Sequence, residues 1–69
     1  MTYYTLVGVD GNAFAVMGYV TGALRREGFK DKIEEYRKEA MSGNYDNLLA
    51  VSMRYLDELN EATGAEEEF

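Results

Sequence analysis

The sequence has neither cysteine nor histidine, and these two absences exclude several classes of function. Without cysteine the chain can form no disulfide and no thiolate zinc site. Without histidine it lacks the commonest metal ligand and the commonest general base. Its serines and lysines show no arrangement that would activate a nucleophile, and its carboxylates fall on solvent faces of predicted helices. We therefore expect no enzyme activity, no catalytic residue, no bound metal and no cofactor.

Positive charge is scarce and unevenly distributed. The formal net charge is −6, and six of the seven cations lie within residues 25–38. An acidic chain has little of the charge that neutralises phosphate, so we expect no direct binding of nucleic acid. The uncharged run 11–24 is shorter than the roughly 20 residues that span a bilayer. Residues 1–4 carry no positive charge of the secretory type. These features predict no membrane contact and a cytoplasmic location.

The chain is short for a self-sufficient domain. A protein of 69 residues buries only about 60% of its unfolded surface, and small domains usually need a disulfide, a metal or a partner subunit. With the first two excluded, we expect a homodimer. We predict one compact domain over residues 1–63 and a disordered acidic tail over residues 64–69.

The N-terminal segment predicts a β-strand. Residues 2–9 are rich in tyrosine, threonine and valine, which favour a pleated surface, and the turn signal Asp10-Gly11-Asn12 follows them. No other stretch predicts a strand of comparable quality. We therefore expect this strand to pair antiparallel with its own copy across a two-fold axis.

Three helices are predicted after the strand. Asn12 is a favourable N-cap for a first helix over 13–27, and Gly28 is a favourable residue to end it. A second helix is predicted over 32–42, where Asp31 and Glu34 have the spacing of a capping box. Asn44 would cap a third, clearly amphipathic helix over 45–61 or 62. The predicted fold class is α+β, mostly α, with one N-terminal strand followed by three helices.

The first helix has no obvious water-facing side, which makes its orientation ambiguous. A helical wheel places Phe14, Met17, Thr21 and Leu24 on one apolar stripe. On the opposite flank, small residues form a groove. That groove would be filled either by another element of the same chain or by a second subunit. The candidate interface comprises Tyr3, Tyr4, Ala15, Gly18, Tyr19 and Gly22.

The passage from the strand to the first helix resembles an anion-binding turn in one respect only. Its glycines lie at a helix N-terminus, where free backbone N–H groups can hold an anion. However, it lacks the Lys-Ser/Thr pair of a P-loop, and Asp10 would repel a phosphate, so an ordinary turn and cap also explains it. The candidate anion or partner contacts are Gly11, Asn12, Arg25 and Arg26.

Several segments resemble small uncharacterised proteins encoded by phages, prophages and conjugative elements of bacteria. The longest is residues 4–20, YTLVGVDGNAFAVMGYV. The other matching positions are Gly28-Phe29, Glu35-Tyr36, residues 38–40, Ser42-Gly43, Tyr45, Leu48-Leu49 and residues 51–53. The resemblance implies a mobile genetic element and a bacterial host cell, a setting in which such proteins often antagonise host defence. It assigns no role to any residue.

Three functions are compatible with these observations. The first is a non-enzymatic protein that binds and inhibits a host defence protein. The second is a sponge that sequesters a nucleotide immune signal in an intersubunit pocket, with tyrosines stacking on the base. The third is a structural or regulatory accessory protein of the element itself. The expected partners are therefore a second copy of the chain and a host protein, with a small nucleotide as the alternative.

Overall fold

The computed structural model describes residues 2–66, which form three α-helices around one core. Helix α1 spans Ala13–Arg26, α2 spans Ile33–Ala40 and α3 spans Tyr45–Thr63, and one turn of 3₁₀-helix at Lys30–Lys32 leads into α2. Each α-helix contacts the other two. The connections on either side of α2 are short, so α2 runs antiparallel to both neighbours, while α1 and α3 run in the same direction.

The helix ends follow the predicted capping signals. The side-chain oxygen of Asn12 accepts a hydrogen bond from the N–H of Ala15 at 2.8 Å, and that of Asn44 accepts from the N–H of Asn47 at 3.0 Å. Gly28 has φ +87°, and beyond it the N–H of Phe29 donates to the carbonyl of Leu24 at 2.8 Å. This is the Schellman arrangement that favours glycine. The predicted caps at Asn12, Gly28 and Asn44 are confirmed.

The start of α2 differs from the prediction. The 3₁₀ turn occupies the positions at which the second helix was expected to begin, and α2 starts at Ile33. Lys32 stands at the N-cap position and makes no side-chain cap hydrogen bond. Asp31 therefore lies inside the 3₁₀ turn, and the capping box expected from Asp31 and Glu34 does not form.

The predicted N-terminal strand is wrong, because residues 2–12 contain no β-structure and no strand occurs anywhere in residues 2–66. The N–H of Tyr4 donates to Oδ1 of Asn60, and Nδ2 of Asn60 donates to the carbonyl of Tyr4, each at 2.8 Å. A carboxamide offers one acceptor and one donor, as the peptide group of a neighbouring strand would. Helix α3 thus supplies the partner that the sequence analysis sought in a second subunit. The described chain is all α, so the predicted fold class, α+β with a strand that pairs across a homodimer, is wrong.

The buried side of α1 is also rotated from the predicted stripe. Val16, Val20, Ala23 and Leu24 face the core, each at most 2% exposed, whereas Phe14 is 89% exposed. The residues of the predicted stripe therefore do not share one environment, because Leu24 lies in the core and Phe14 on the surface. The opposite wall of the core includes Leu48, Leu56 and Leu59 of α3 and Tyr36 of α2.

The predicted domain and tail fall partly outside the described chain. Gly64 ends α3 with φ +75°, and the N–H of Ala65 donates to the carbonyl of Asn60 at 2.9 Å. Of the predicted acidic tail, 64–69, residues 67–69 lie outside the described residues, as does Met1.

Two glycine substitutions are expected to change stability in opposite directions. Gly28→Ala should lower the free energy of unfolding by about 1–2 kcal/mol, because alanine is strained at positive φ. Gly22→Ala should raise it by about 0.5–1 kcal/mol, because a Cβ there meets no atom within 4 Å and alanine is the better helix former. Urea unfolding followed by circular dichroism measures both. If Gly22→Ala is instead destabilising, another group occupies the space beside Gly22 on the outward side of α1.

Candidate functional site

The predicted tyrosine interface is largely internal. Tyr4 is 2% exposed, and its hydroxyl donates to Oε2 of Glu27 at 2.6 Å. The hydroxyl of Tyr19 accepts from the N–H of Thr5 at 3.1 Å, and the rings of Tyr4 and Tyr19 meet edge to face at 6.1 Å. Both tyrosines hold the N-terminal segment against α1, so the structure places Tyr4 in the core rather than at a subunit contact. Tyr3 is half-buried in the same segment.

The small-residue groove lies on the outward side of α1. A Cβ built on Gly18 or Gly22 meets no atom within 4 Å. Gly18 is exposed, and Ala15 and Gly22 are half-buried. No element of the described chain fills this groove, so packing within the chain does not explain the two glycines.

The predicted anion contacts are not brought together. Gly11 accepts from the hydroxyl of Tyr45 through its carbonyl, and Asn12 uses its side-chain oxygen to cap α1. The carboxylate of Asp10 in turn accepts from the N–H of Asn12 at 3.1 Å. Arg25 and Arg26 lie in the last turn of α1, roughly 20 Å away at 1.5 Å per residue. The N-terminus of α1 is therefore capped by a side chain of the same chain, and the carboxylate of Asp10 lies beside it.

An apolar cleft that the sequence analysis missed lies where the N-terminal end of α1, the C-terminal end of α2 and the N-terminal end of α3 meet. Its volume is about 350 Å³, and the large apolar side chains exposed in its lining are Phe14, Met41 and Tyr45, at 89%, 71% and 43% exposure. Met17 is half-buried within it. The remaining lining residues are Ala13, Ala40, Gly43, Asn44 and Leu48. The one sequence signal that bears on the cleft is the absence of a water-facing side on the first helix.

The cleft continues along the seam between α1 and α2 and changes character as it does so. Its next section is lined by Gly18, Thr21 and Arg37 in addition to the apolar walls. Beyond Arg37 the seam is lined by Arg25, Lys30, Ile33 and Glu34. We call this whole surface, from Phe14 and Met41 at the apolar end to Arg25 and Lys30 at the basic end, the α1–α2 groove.

The cations of the groove are free of ion pairs within the part of the chain that the structure describes. The one ion pair found there joins Arg54 to Glu39, on the side of α2 that faces α3. Arg25, Lys30 and Arg37 are exposed and have no carboxylate partner among residues 2–66. The basic end of the groove thus carries unneutralised positive charge in a chain whose net charge is negative.

A second group of polar side chains is structural. The hydroxyls of Tyr36 and Ser52 are hydrogen-bonded at 2.6 Å, and both residues are fully buried. The ring of Tyr36 meets that of Tyr55 at 5.2 Å, and the Tyr55 hydroxyl donates to Oε1 of Glu39 at 3.2 Å. Arg54 lies over the Tyr55 ring at 5.5 Å. Every polar group in this set already has a partner, so the set holds α2 on α3 and offers no open position for a substrate.

The tyrosines of this set should make stability sensitive to alkaline pH. Burial, and then the carboxylates of Glu35 and Glu39, raise the pKa of Tyr55 to about 12. Burial also raises the pKa of Tyr36, although its hydrogen bond with Ser52 opposes the shift. An unfolded tyrosine ionises near pH 10, so the native state favours the neutral form. The stabilisation is complete below about pH 10 and is lost as the pH rises towards about 12.

We expect the Tyr55 contribution to be on the order of 1–2 kcal/mol once solvent screening at the hydroxyl is allowed for. Urea unfolding at a series of pH values measures it. Tyr55→Phe is the matched control, because it removes the ionisable hydroxyl and keeps the ring. If Tyr55→Phe loses as much stability as the parent chain over this interval, another group causes the alkaline loss.

No helix within residues 2–66 is long and apolar enough to cross a membrane. No group of three or more carboxylates in the same part of the chain is placed to hold a metal ion. Comparison with known proteins found no matching family model, no matching curated protein and no matching solved structure.

Proposed function

We propose that the protein acts without catalysis, by binding another protein through the apolar cleft. The observation that carries this proposal is the exposure of Phe14 and Met41, at 89% and 71%, in the lining of one cleft. Contiguous apolar surface of this kind on a small protein is typical of an interaction site. An aromatic anchor beside methionines also suits the purpose, because methionine side chains adapt their shape to a partner.

A protein partner fits the surface better than a nucleotide does. Of the tyrosines, Tyr4, Tyr36 and Tyr55 are at most 5% exposed and cannot stack on a base. The accessible rings are those of Phe14 and Tyr45 in the apolar cleft. A phosphate beside those rings would need free donors there, yet the N-terminus of α1 is capped by Asn12 and flanked by Asp10. The cations Arg25 and Lys30, which are unpaired among residues 2–66, lie at the other end of the groove. With the resemblance to proteins of mobile elements, this favours inhibition of a host defence protein over sequestration of a nucleotide signal.

Affinity capture from a lysate of the bacterial host, compared across matched variants, tests the proposal. Phe14→Ser and Met41→Ser remove the walls of the cleft. Met53→Ser is the control, because Met53 is also exposed, at 55%, but lies on α3 beside the N-terminal segment. We expect a host protein to be retained by the parent chain and by Met53→Ser, and to be lost with either cleft variant. The purified pair should then bind at least tenfold more weakly after Phe14→Ser.

Two results would contradict the proposal. Equal loss of the captured protein with Met53→Ser would show that binding does not use the cleft. A large and specific thermal shift with a cyclic or linear nucleotide would favour the sponge instead. Capture of a protein encoded by the mobile element itself would leave the cleft in place but identify the chain as an accessory protein of the element.

The homodimer stays a prediction. With the strand removed, its remaining basis is the short chain and the open groove over Ala15, Gly18 and Gly22. Light scattering at micromolar concentration decides between a dimer and a mass of 7.8 kDa. If a dimer does use this groove, Gly18→Leu should split it while leaving the monomer folded.

A further inference from the structure

We infer that the α1–α2 groove receives an amphipathic helix of the partner protein, with its apolar end in the cleft and a carboxylate-bearing end against Arg25 and Arg37. This rests on the proposed function and specifies the partner's chemistry. Three features of the groove support it: its continuity, its open middle, and the change from apolar to basic along its length.

The groove has the dimensions and the surroundings of a missing helix. Phe14 and Arg25 are eleven positions apart on α1, a distance of about 16 Å, or three helical turns, at 1.5 Å per residue. Both helices pack on α3 on their inner side. On the outer side of the seam, a Cβ on Gly18 would meet no atom within 4 Å. A fourth helix laid there would complete a bundle, and Gly18 would let its backbone approach α1 closely.

The charge of the groove places the acidic end of the partner helix at the basic end of the groove. Arg25, Lys30 and Arg37 line the far end with Glu34 as the single anion of that section, so its local balance is positive. The outward face of α3 instead carries acidic residues, including Asp57, Glu58 and Glu61. A partner helix with acidic residues at one end is therefore attracted to the groove and repelled from α3. Electrostatic complementarity of this kind fixes orientation and partner choice more than it adds affinity.

The probe is a stapled helical peptide with leucines in its first turn and a half and two glutamates three turns later. A second peptide has the glutamates first and the leucines three turns later, because the groove does not set the N-to-C direction of the bound helix. Each has a control in which lysines replace the two glutamates. Binding is followed by two-dimensional ¹⁵N–¹H NMR, which also shows whether each protein variant is folded.

We expect a glutamate peptide to bind at least tenfold more tightly than its lysine control at low salt, with shifts along the groove, and the difference to shrink as salt is added. Arg25→Glu should abolish or reverse the preference. Arg26→Glu is the matched control, because Arg26 is the next residue but lies on the Tyr4 side of α1. It should keep most of the preference for glutamate.

Equal binding of the glutamate and lysine peptides, or equal effects of Arg25→Glu and Arg26→Glu, would overturn the inference. So would groove resonances that shift with protein concentration alone, because a second copy would then be the occupant. Each of these three outcomes leaves the proposed function standing if the host protein is still lost with Phe14→Ser. Conversely, the protein could prefer the glutamate peptide while no host protein is captured through the cleft. The inference about the groove would then stand, and the proposed inhibition of a host protein would fail.

Discussion

Asn60→Leu is expected to lower the free energy of unfolding by about 3 kcal/mol, since an unpaired buried polar group costs about 1–3 kcal/mol. The carboxamide of Asn60 is 4% exposed and makes both hydrogen bonds to the backbone of Tyr4. Leucine has a similar volume but can replace neither bond. The N–H and carbonyl of Tyr4 would then be left unpaired in the core, or the N-terminal segment would detach from α3. Urea unfolding followed by circular dichroism measures the loss.

Asn60→Asp separates the two hydrogen bonds. An ionised carboxylate still accepts from the N–H of Tyr4 but cannot donate to its carbonyl, whereas a protonated carboxyl group can do both. Burial and the facing carbonyl should therefore raise the pKa of the new carboxyl group in the folded state. At acidic pH the Asn60→Asp variant should therefore recover part of the stability that it loses at neutral pH. That gain should disappear as the pH rises through the raised pKa.

Glu61→Leu is the matched control for both variants, because Glu61 is the next residue on α3 and is exposed. Its effect should stay within about 0.5 kcal/mol. If Asn60→Leu also stays within that range, the N-terminal segment is held by Tyr19 and Glu27 rather than by Asn60.

The predictions that succeeded depended on local chemistry. An asparagine before a helix and a glycine after one satisfy the free backbone groups of that helix whatever lies around it. Asn12, Gly28 and Asn44 do so here at the predicted positions. The amphipathic third helix was predictable for the same reason, because its acidic face leaves only one side for the core.

The sequence could not show that residues 2–9 form no strand, because their backbone hydrogen bonds to a residue 56 positions away. Residues 2–9 favour extended backbone, and extended backbone must find donors and acceptors when it is buried. In an isolated segment of this kind, a neighbouring strand is the expected source. One asparagine on α3 supplies both groups instead, and nothing in the pattern around Asn60 distinguishes it from a surface residue.

The cleft was missed because α1 has no charged residue before Arg25 to mark its outer side. A wheel drawn on such a helix places Phe14 on one stripe with Leu24 but cannot show which part of that stripe faces the core. The structure turns the helix so that Val16, Val20 and Leu24 face inward. The exposure of Phe14, on which the proposed function rests, therefore became visible only once the neighbours of α1 were known.

That rotation gives a direct test. Leu24→Ala should lower the free energy of unfolding by about 3 kcal/mol, because a buried leucine loses both its transfer free energy and its packing. Phe14→Ala should leave stability unchanged or raise it by up to about 0.5 kcal/mol, because alanine is the better helix former at an exposed position. Urea unfolding of the two variants under one condition makes the comparison. A loss of more than about 1 kcal/mol for Phe14→Ala in the monomer would mean that Phe14 belongs to the core, and the cleft would then lose its principal anchor.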